Sequence, residues 1–432
     1  MNNGTILIGL NEINFDFLEN YIQKGHLPHF AQYFGDSTPV KTQSEKEYKL
    51  LEPWIQWVTV YTGKTYKEHQ IFRLGDIVGR NDLSQIFEEI EDAGVSVAAI
   101  SPFNAENRLK KSPFFVPDPW TKTKVTGSWF INNFYNAIHQ SVNDNAQEKI
   151  KFSSLLALGA AFLFYVPIKS WSTYLKNIKG RKKPGTKAVI LDNLLCDVFY
   201  KLWKKKKPGF SNLFLNSGAH IQHHYLFNSQ AYSGELTNPE WYCPKGYDPL
   251  LKILKVYDNL LGRLSRHEDV KIIIATGLHQ QPHEHITFYW RLKNHNTFLN
   301  KIGATQYTRV LPRMSRDFLV EFDSEEKCMQ VEALLKSYVS AKDDTIIFDV
   351  DNRGDSLFVE LVYPNDIREG DAIKSKLDQK VIPDFLNHVS FVAIKNGEHN
   401  GVGYLTSNFE LPVSGEIPLT QVRDIILKEA TS

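Results

Sequence analysis

At 432 residues, with 42% hydrophobic, 12% aromatic and 23% charged residues, the chain is too long for one small core and too apolar for disorder; its length suggests roughly two to three domains. Net charge is +1, so no global field argues for nucleic acid as a partner. Three cysteines (Cys196, Cys243 and Cys328) without CxxC spacing exclude a disulfide framework or a cysteine zinc knuckle and fit a reducing, cytoplasmic compartment.

The opening "MNNGTILIGLNEINFDF" lacks the basic, apolar and small-residue regions of a signal peptide. "TILIGL" reads as a strand ending near Gly9, and Ile13, Phe17, Leu18 and Ile22 recur behind it at helical spacing, with Gly25 and Pro28 as stop signals. In "KLLEPWIQWVTVYTGK" a helix starts at Pro53, with Trp54, Trp57, Val58 and Tyr61 as its packing stripe. Glu52 stands at that helix's entrance, where a carboxylate meets orphan backbone donors and the positive end of the dipole. "VSVAAI", "SNLFLN" and "VKIIIA" repeat the strand signal. Such runs, apolar throughout, are what a sheet covered by helices on both faces demands. The fold class expected is therefore α/β: a doubly wound, mostly parallel sheet with helices on both faces, whose ligands sit at the carboxyl ends of strands.

"LLALGAAFLFYVPI" (Leu155 to Ile168) is shorter than the roughly 20 residues that cross hydrocarbon. It reads as a buried core helix. The alternative is contact with an anionic membrane, because "KNIKGRKK" and "KLWKKKK" lie close behind. Between Arg313 and Pro364 the pattern changes to strand, helix opened by Ser324, and two strands flanking "DNRGD", a hairpin turn with Gly354. The expected organisation is a core over residues 1–312 with a basic, apolar helical insertion at about 145–210, a small α+β cap insertion over 313–383, and a return to the core over 384–432.

Fourteen histidines occur in the chain, and six of them fall in "NSGAHIQHHY" and "TGLHQQPHEH". Each window directly follows a strand, so both are expected on loops at the same sheet edge. His220, His223 and His224 are three and four apart, so two can share a helical face. Clustered neutral imidazoles coordinate a divalent cation or hydrogen-bond an anion, and zinc or manganese suits a mixed imidazole and carboxylate set.

In this order the pieces resemble the alkaline phosphatase superfamily, in particular its type I phosphodiesterase and nucleotide pyrophosphatase branch. The blocks that carry the resemblance are "ILIGLNEINFDFLENYIQKGHLPHFAQYF", "WVTVYTGKTYKEHQIF" with Thr62, Gly63 and His69, and "GEHNGVGYLTS". The resemblance implies a metal-dependent phosphoesterase on an α/β sheet, holding two ions by an Asp after the first strand, a hydroxyl nucleophile, an Asp-x-x-x-His pair, an Asp-His-Gly turn and a C-terminal His. Here the first Asp is matched by Asn11, the nucleophile falls at or beside Pro53, the pair becomes Ala219 and His223, and the turn becomes "TGLH" with His279 displaced. His223 and His399 survive, and both belong to the same one of the two metal sites. Two ions need several carboxylates to balance their charge, so at most one divalent ion, zinc or manganese, is expected.

The functional expectation is a divergent enzyme acting by hydrolysis or transfer at a phosphoester or phosphodiester. Glu52, Asn11 and His279 are its catalytic candidates. His223, His399 and His220 are the metal candidates, and Glu12, Trp54, Gln56, His69, His224 and His283 the substrate contacts. The partner expected is a small molecule carrying phosphate or sugar phosphate. Two alternatives stand beside this: a glycosyl- or phosphoglycosyl-transferase of cell-surface polysaccharide assembly touching the membrane through its lysines, and a catalytically silent ligand-binding relative. The fold does not choose among them.

Overall fold

The computed structural model describes residues 4–35, 38–143, 152–313 and 316–432; the start of the helical insertion expected at about 145 lies outside them. The chain divides into two units, Met1–Pro282 with Gly397–Ser432, and His283–Asn396.

The first unit runs through β1 (Thr5–Leu10), α1 (Phe15–Gln23), α2 (Pro28–Phe34), β2 (Val40–Gln43), α3 (Pro53–Thr62), α4 (Tyr66–His69), α5 (Ile86–Asp92), β3 (Val97–Ile100) and β4 (Phe115–Val116). It continues with α6 (Trp129–Asn143), α7 (Phe152–Tyr165), α8 (Trp171–Lys179), α9 (Thr186–Lys206), β5 (Phe210–Leu215), α10 (Ser217–Tyr225), α11 (Pro249–Leu264) and β6 (Lys271–Ala275). The chain then leaves in β7 (His279–Leu292). The second unit contains α12 (His295–Ile302), β8 (Arg309–Pro312), β9 (Asp317–Glu321), α13 (Glu325–Ser337), β10 (Tyr338–Ser340), β11 (Phe348–Asn352), β12 (Ser356–Leu361), β13 (Ile373–Ser375) and β14 (Val381–Ile382). The return is made in β15 (Val389–Asn400), followed by β16 (Val402–Ser407), β17 (Glu416–Pro418) and α14 (Gln421–Thr431).

Eight strands form the main sheet in the order β17, β2, β16, β6, β1, β5, β3, β4. β1 lies parallel to both β5 and β6, and β3 parallel to β5 and β4; β16 alone runs antiparallel to its neighbours. The sheet is mixed and mostly parallel, as the uninterrupted apolar strands require. Alternation in β1 sends Ile6, Ile8 and Leu10 into one core with α1, α9 and α11, and Leu7 into another with α3, α5 and α14. Gly9 is there for space: a Cβ would lie 2.8 Å from both the Trp57 and Phe214 rings.

In the second unit, β8, β9, β12 and β11 make an antiparallel sheet against α13, with β11 and β12 joined at Gly354 in the left-handed region. The second histidine window is not a loop. It opens β7, which pairs with β15 as a two-stranded ribbon. Nor is α7 a buried core helix: Leu156 is 59% exposed, Leu163 64% and Phe164 54%. Among the described residues no helix is long and apolar enough to cross a membrane.

Candidate functional site

Parallel β1 and β5 are adjacent and end at the same edge of the sheet. The residues just past their ends therefore meet, as in other open α/β sheets. Asn11 and Glu12 follow β1, and Asn216 follows β5 as the N-cap of α10, the helix that carries His223. β15 contributes His399, and Glu52 is the N-cap of α3. All of these belong to the first unit.

Glu12 adopts a left-handed backbone, φ 58°, a conformation costing a side-chain-bearing residue roughly 1–2 kcal/mol. Its surroundings fix it there. The Glu12 N–H donates to the Thr276 carbonyl at 3.1 Å, and its carbonyl accepts from the Gln280 N–H at 3.1 Å and from Gln222 Nε2 at 2.8 Å. Strain that persists because the environment over-determines it is a mark of functional positions.

The Glu12 side chain is 2% exposed. Its Oε2 lies 3.1 Å from His223 Nε2 and 3.2 Å from His399 Nε2, and the two rings stand 5.1 Å apart. Burial by itself would raise this carboxyl, but the imidazoles of His399 and His223 outweigh it and hold Glu12 well below the ordinary carboxylate range. The anion is also oriented by amides. Gln280 Nε2 donates to Oε2 at 2.5 Å, and Asn11 Nδ2 donates to Oε1 at 2.8 Å. Asn11 is itself held: its Nδ2 donates to Asn216 Oδ1 at 2.7 Å and its Oδ1 accepts from Trp57 Nε1 at 2.8 Å.

One carboxylate oxygen and two imidazole nitrogens lie within 4.8 Å of one another here, the one such group of three or more His, Cys, Asp or Glu donors among the described residues. Bond lengths of ~2.0–2.2 Å at tetrahedral angles place neighbouring donors ~3.4 Å apart, and the two Glu–His separations match that size. The donor chemistry also fits: a three-ligand set of this kind leaves a fourth position open to water or substrate. Glu52 adds an outer partner. Its carboxylate is 3.9 Å from His399 Nδ1, the nitrogen facing away from Glu12, and makes no capping bond to its own helix. A carboxylate behind a ligating imidazole is the usual second-sphere arrangement. Gly397 makes room for the cluster, since a Cβ there would sit 2.1 Å from Gln280 Oε1.

Of the residues singled out in the sequence, Asn11, Glu12, Glu52, His223 and His399 are thus brought together. The others are placed elsewhere. His220 is exposed, with its ring 4.7 Å from that of His224. His279 turns Nδ1 to the Val402 carbonyl at 2.6 Å and lies 5.5 Å from the Tyr404 ring, and its burial lowers its pKa. His69 is buried between Thr59 Oγ1 and the Ile71 N–H. Gln56 donates to the Leu50 carbonyl and Trp54 to the Phe72 carbonyl, while His283 belongs to the second unit. Gln222, Gln280, Asn216 and Trp57 were not singled out as site residues, because neutral amides and an indole in a packing stripe carry no sequence signal of their own.

No protein-family model and no curated protein sequence matches the chain. Solved structures do. Phosphonoacetate hydrolase from Sinorhizobium meliloti 1021 is 12% identical, with 99% of this chain and 95% of that one covered and a TM-score of 0.43. Murine ectonucleotide pyrophosphatase/phosphodiesterase 5 is 12% identical over 99% and 95%, with a TM-score of 0.46. Alkaline phosphatase from the Antarctic bacterium TAB5 is 9% identical over 100% and 98%, with a TM-score of 0.39. All three are alkaline phosphatase superfamily proteins.

Proposed function

We propose that the chain is a phosphodiester-directed enzyme that uses one divalent ion, zinc or manganese, held by Glu12, His223 and His399. The observation that carries this reading is the convergence of the buried Glu12 carboxylate just past β1 with the imidazoles of His223, on the helix after β5, and His399, on β15, with Glu52 3.9 Å behind His399. When bound, such an ion supplies Lewis-acid polarisation of a phosphoryl oxygen.

The protein's own groups supply the rest. Glu52, whose side chain is 32% exposed, has solvent access and is the carboxylate placed to take a proton from an attacking water or acceptor hydroxyl. The oxygen so activated bonds to phosphorus, and the bond from phosphorus to the leaving oxygen breaks. Charge favours a diester. Glu12 and Glu52 together balance a single divalent ion, which leaves no excess positive charge for a dianionic monoester, whereas a diester carries one negative charge.

Metal analysis of protein purified without chelator tests the reading. One ion per chain is expected, lost in His223→Ala and His399→Ala, together with faster turnover of bis(p-nitrophenyl) phosphate than of p-nitrophenyl phosphate. Protein that binds neither zinc nor manganese, or whose metal content both variants retain, would refute it.

A further inference from the structure

The surface farthest in composition from the rest of the chain lies on α6 to α9. Residues 152–207 contain twelve Lys and Arg and only two acids, against 50 and 49 in the whole chain. All twelve basic residues are exposed, whereas Asp192 and Asp197 are each 1% exposed. Both acids are used internally: Asp192 accepts from Tyr257 and the Ser217 N–H, and Asp197 from Tyr174 and Arg263. The charge this segment shows to solvent is therefore positive throughout.

The same segment and α6 hold half of the large apolar side chains that are most exposed among the described residues. Trp129 is 73% exposed and Ile168 81%, and Leu163, Phe164, Leu175 and Ile178 accompany them along the chain. Trp129, Phe130 and Phe164 form one aromatic run, with ring centroids 5.2 and 4.8 Å apart. Beside them opens a cleft of about 710 Å³. Its lining includes Phe130, Phe164, Ser128, Tyr165, Lys201 and Lys205.

We propose that this face docks on an anionic phospholipid bilayer. Exposed Trp, Phe and Leu side chains interleaved with lysines are the composition that inserts at the boundary between headgroups and acyl chains while pairing with anionic lipid. The cleft, lined by lysine, hydroxyl-bearing and aromatic residues together, suits a lipid that carries phosphate and hydrocarbon in one molecule. Nucleic acid would use the cations but not Ile168 or Leu163. A second copy docked face to face would set like charges against one another, since a two-fold interface pairs each patch with itself.

Co-sedimentation of the full chain with vesicles tests the proposal. Binding is expected to vesicles containing phosphatidylserine, to weaken as salt rises, and to be much poorer to phosphatidylcholine alone. Lys204→Glu with Lys205→Glu should weaken it by more than 25-fold, given roughly fivefold per lysine neutralised near an anionic surface. Ile168→Asp should weaken it at least tenfold at unchanged thermal stability and metal content, which also separates this proposal from the phosphodiester reading. Failure to bind anionic vesicles would overturn the proposal, as would binding that Ile168→Asp leaves intact, displacement by inorganic phosphate, or tighter binding to an RNA oligonucleotide than to vesicles. Self-association that is lost in Ile168→Asp, without vesicle binding, would assign the face to a second copy instead.

Discussion

Replacing Glu52 by Gln keeps the shape of the side chain and removes its charge, which isolates what the carboxylate does for His399. A ligating imidazole is neutral, so at the observed 3.9 Å Glu52 acts on His399 as an outer-sphere partner facing Nδ1, a role whose loss typically weakens metal affinity by about 10- to 100-fold. The Glu52 side chain is 32% exposed and that of His399 14%, so solvent pulls the effect toward the lower figure, and about 1.4 kcal/mol, a factor of ten, is the expected loss. Competition between the protein and a chromogenic chelator should therefore show zinc held about tenfold more weakly in Glu52→Gln. If Glu52 also takes the proton, turnover of the diester should fall by about 10²-fold or more with little change in KM. Unchanged zinc affinity together with unchanged turnover would refute the reasoning and leave Glu52 as the residue that opens α3.

Trp57→Phe removes the N–H that holds Asn11 Oδ1 at 2.8 Å; a buried acceptor left alone costs about 1–3 kcal/mol, to be read as a lower midpoint in urea unfolding. His69 sits neutral in the core: burial first, with help from Arg80, lowers its pKa from 6.5 to about 4. The unfolded chain protonates first, so stability is lost as pH falls from about 6.5 toward 4, by about 3 kcal/mol, and His69→Gln should flatten that slope. Asp192 has the opposite sign. Burial pushes it from 3.8 up to about 6, so its contribution is present below about pH 4 and lost as pH rises through 6. In Asp192→Asn, unfolding measured across that window should lack the decline.

Much of the sheet was legible because a strand buried on both faces can be apolar at every position, and β1, β3, β5 and β6 are nearly so. His223 was legible because it follows such a strand on a helix. The meeting of Glu12 with the two imidazoles was not, because it depends on a left-handed backbone held by Thr276, Gln222 and Gln280. All three lie more than 200 residues away, and nothing local announces them. An acid directly after a strand is the signal the sequence offers at Glu12, and it marks a candidate without saying which groups that acid meets. The second histidine window misled for another reason. "HQQPHEH" is polar and contains Pro282, which reads as a loop, yet a two-stranded ribbon has faces open to water and tolerates that composition. Likewise, an apolar helix looks the same in sequence whether its side chains face a core or solvent, and α7 turned several outward.

Gln281 Nε2 donates to Glu398 Oε1 at 3.0 Å, and Asn400 Nδ2 donates to Gln281 Oε1 at 2.7 Å. The points where the backbone departs for His283–Asn396 and comes home again are therefore neighbours. A short turn, or an unrelated module with closely spaced termini, would satisfy the same junction. The graft has one tolerance to respect: a slip of a single residue in β15 would flip His399 to the opposite side of the ribbon and away from Glu12.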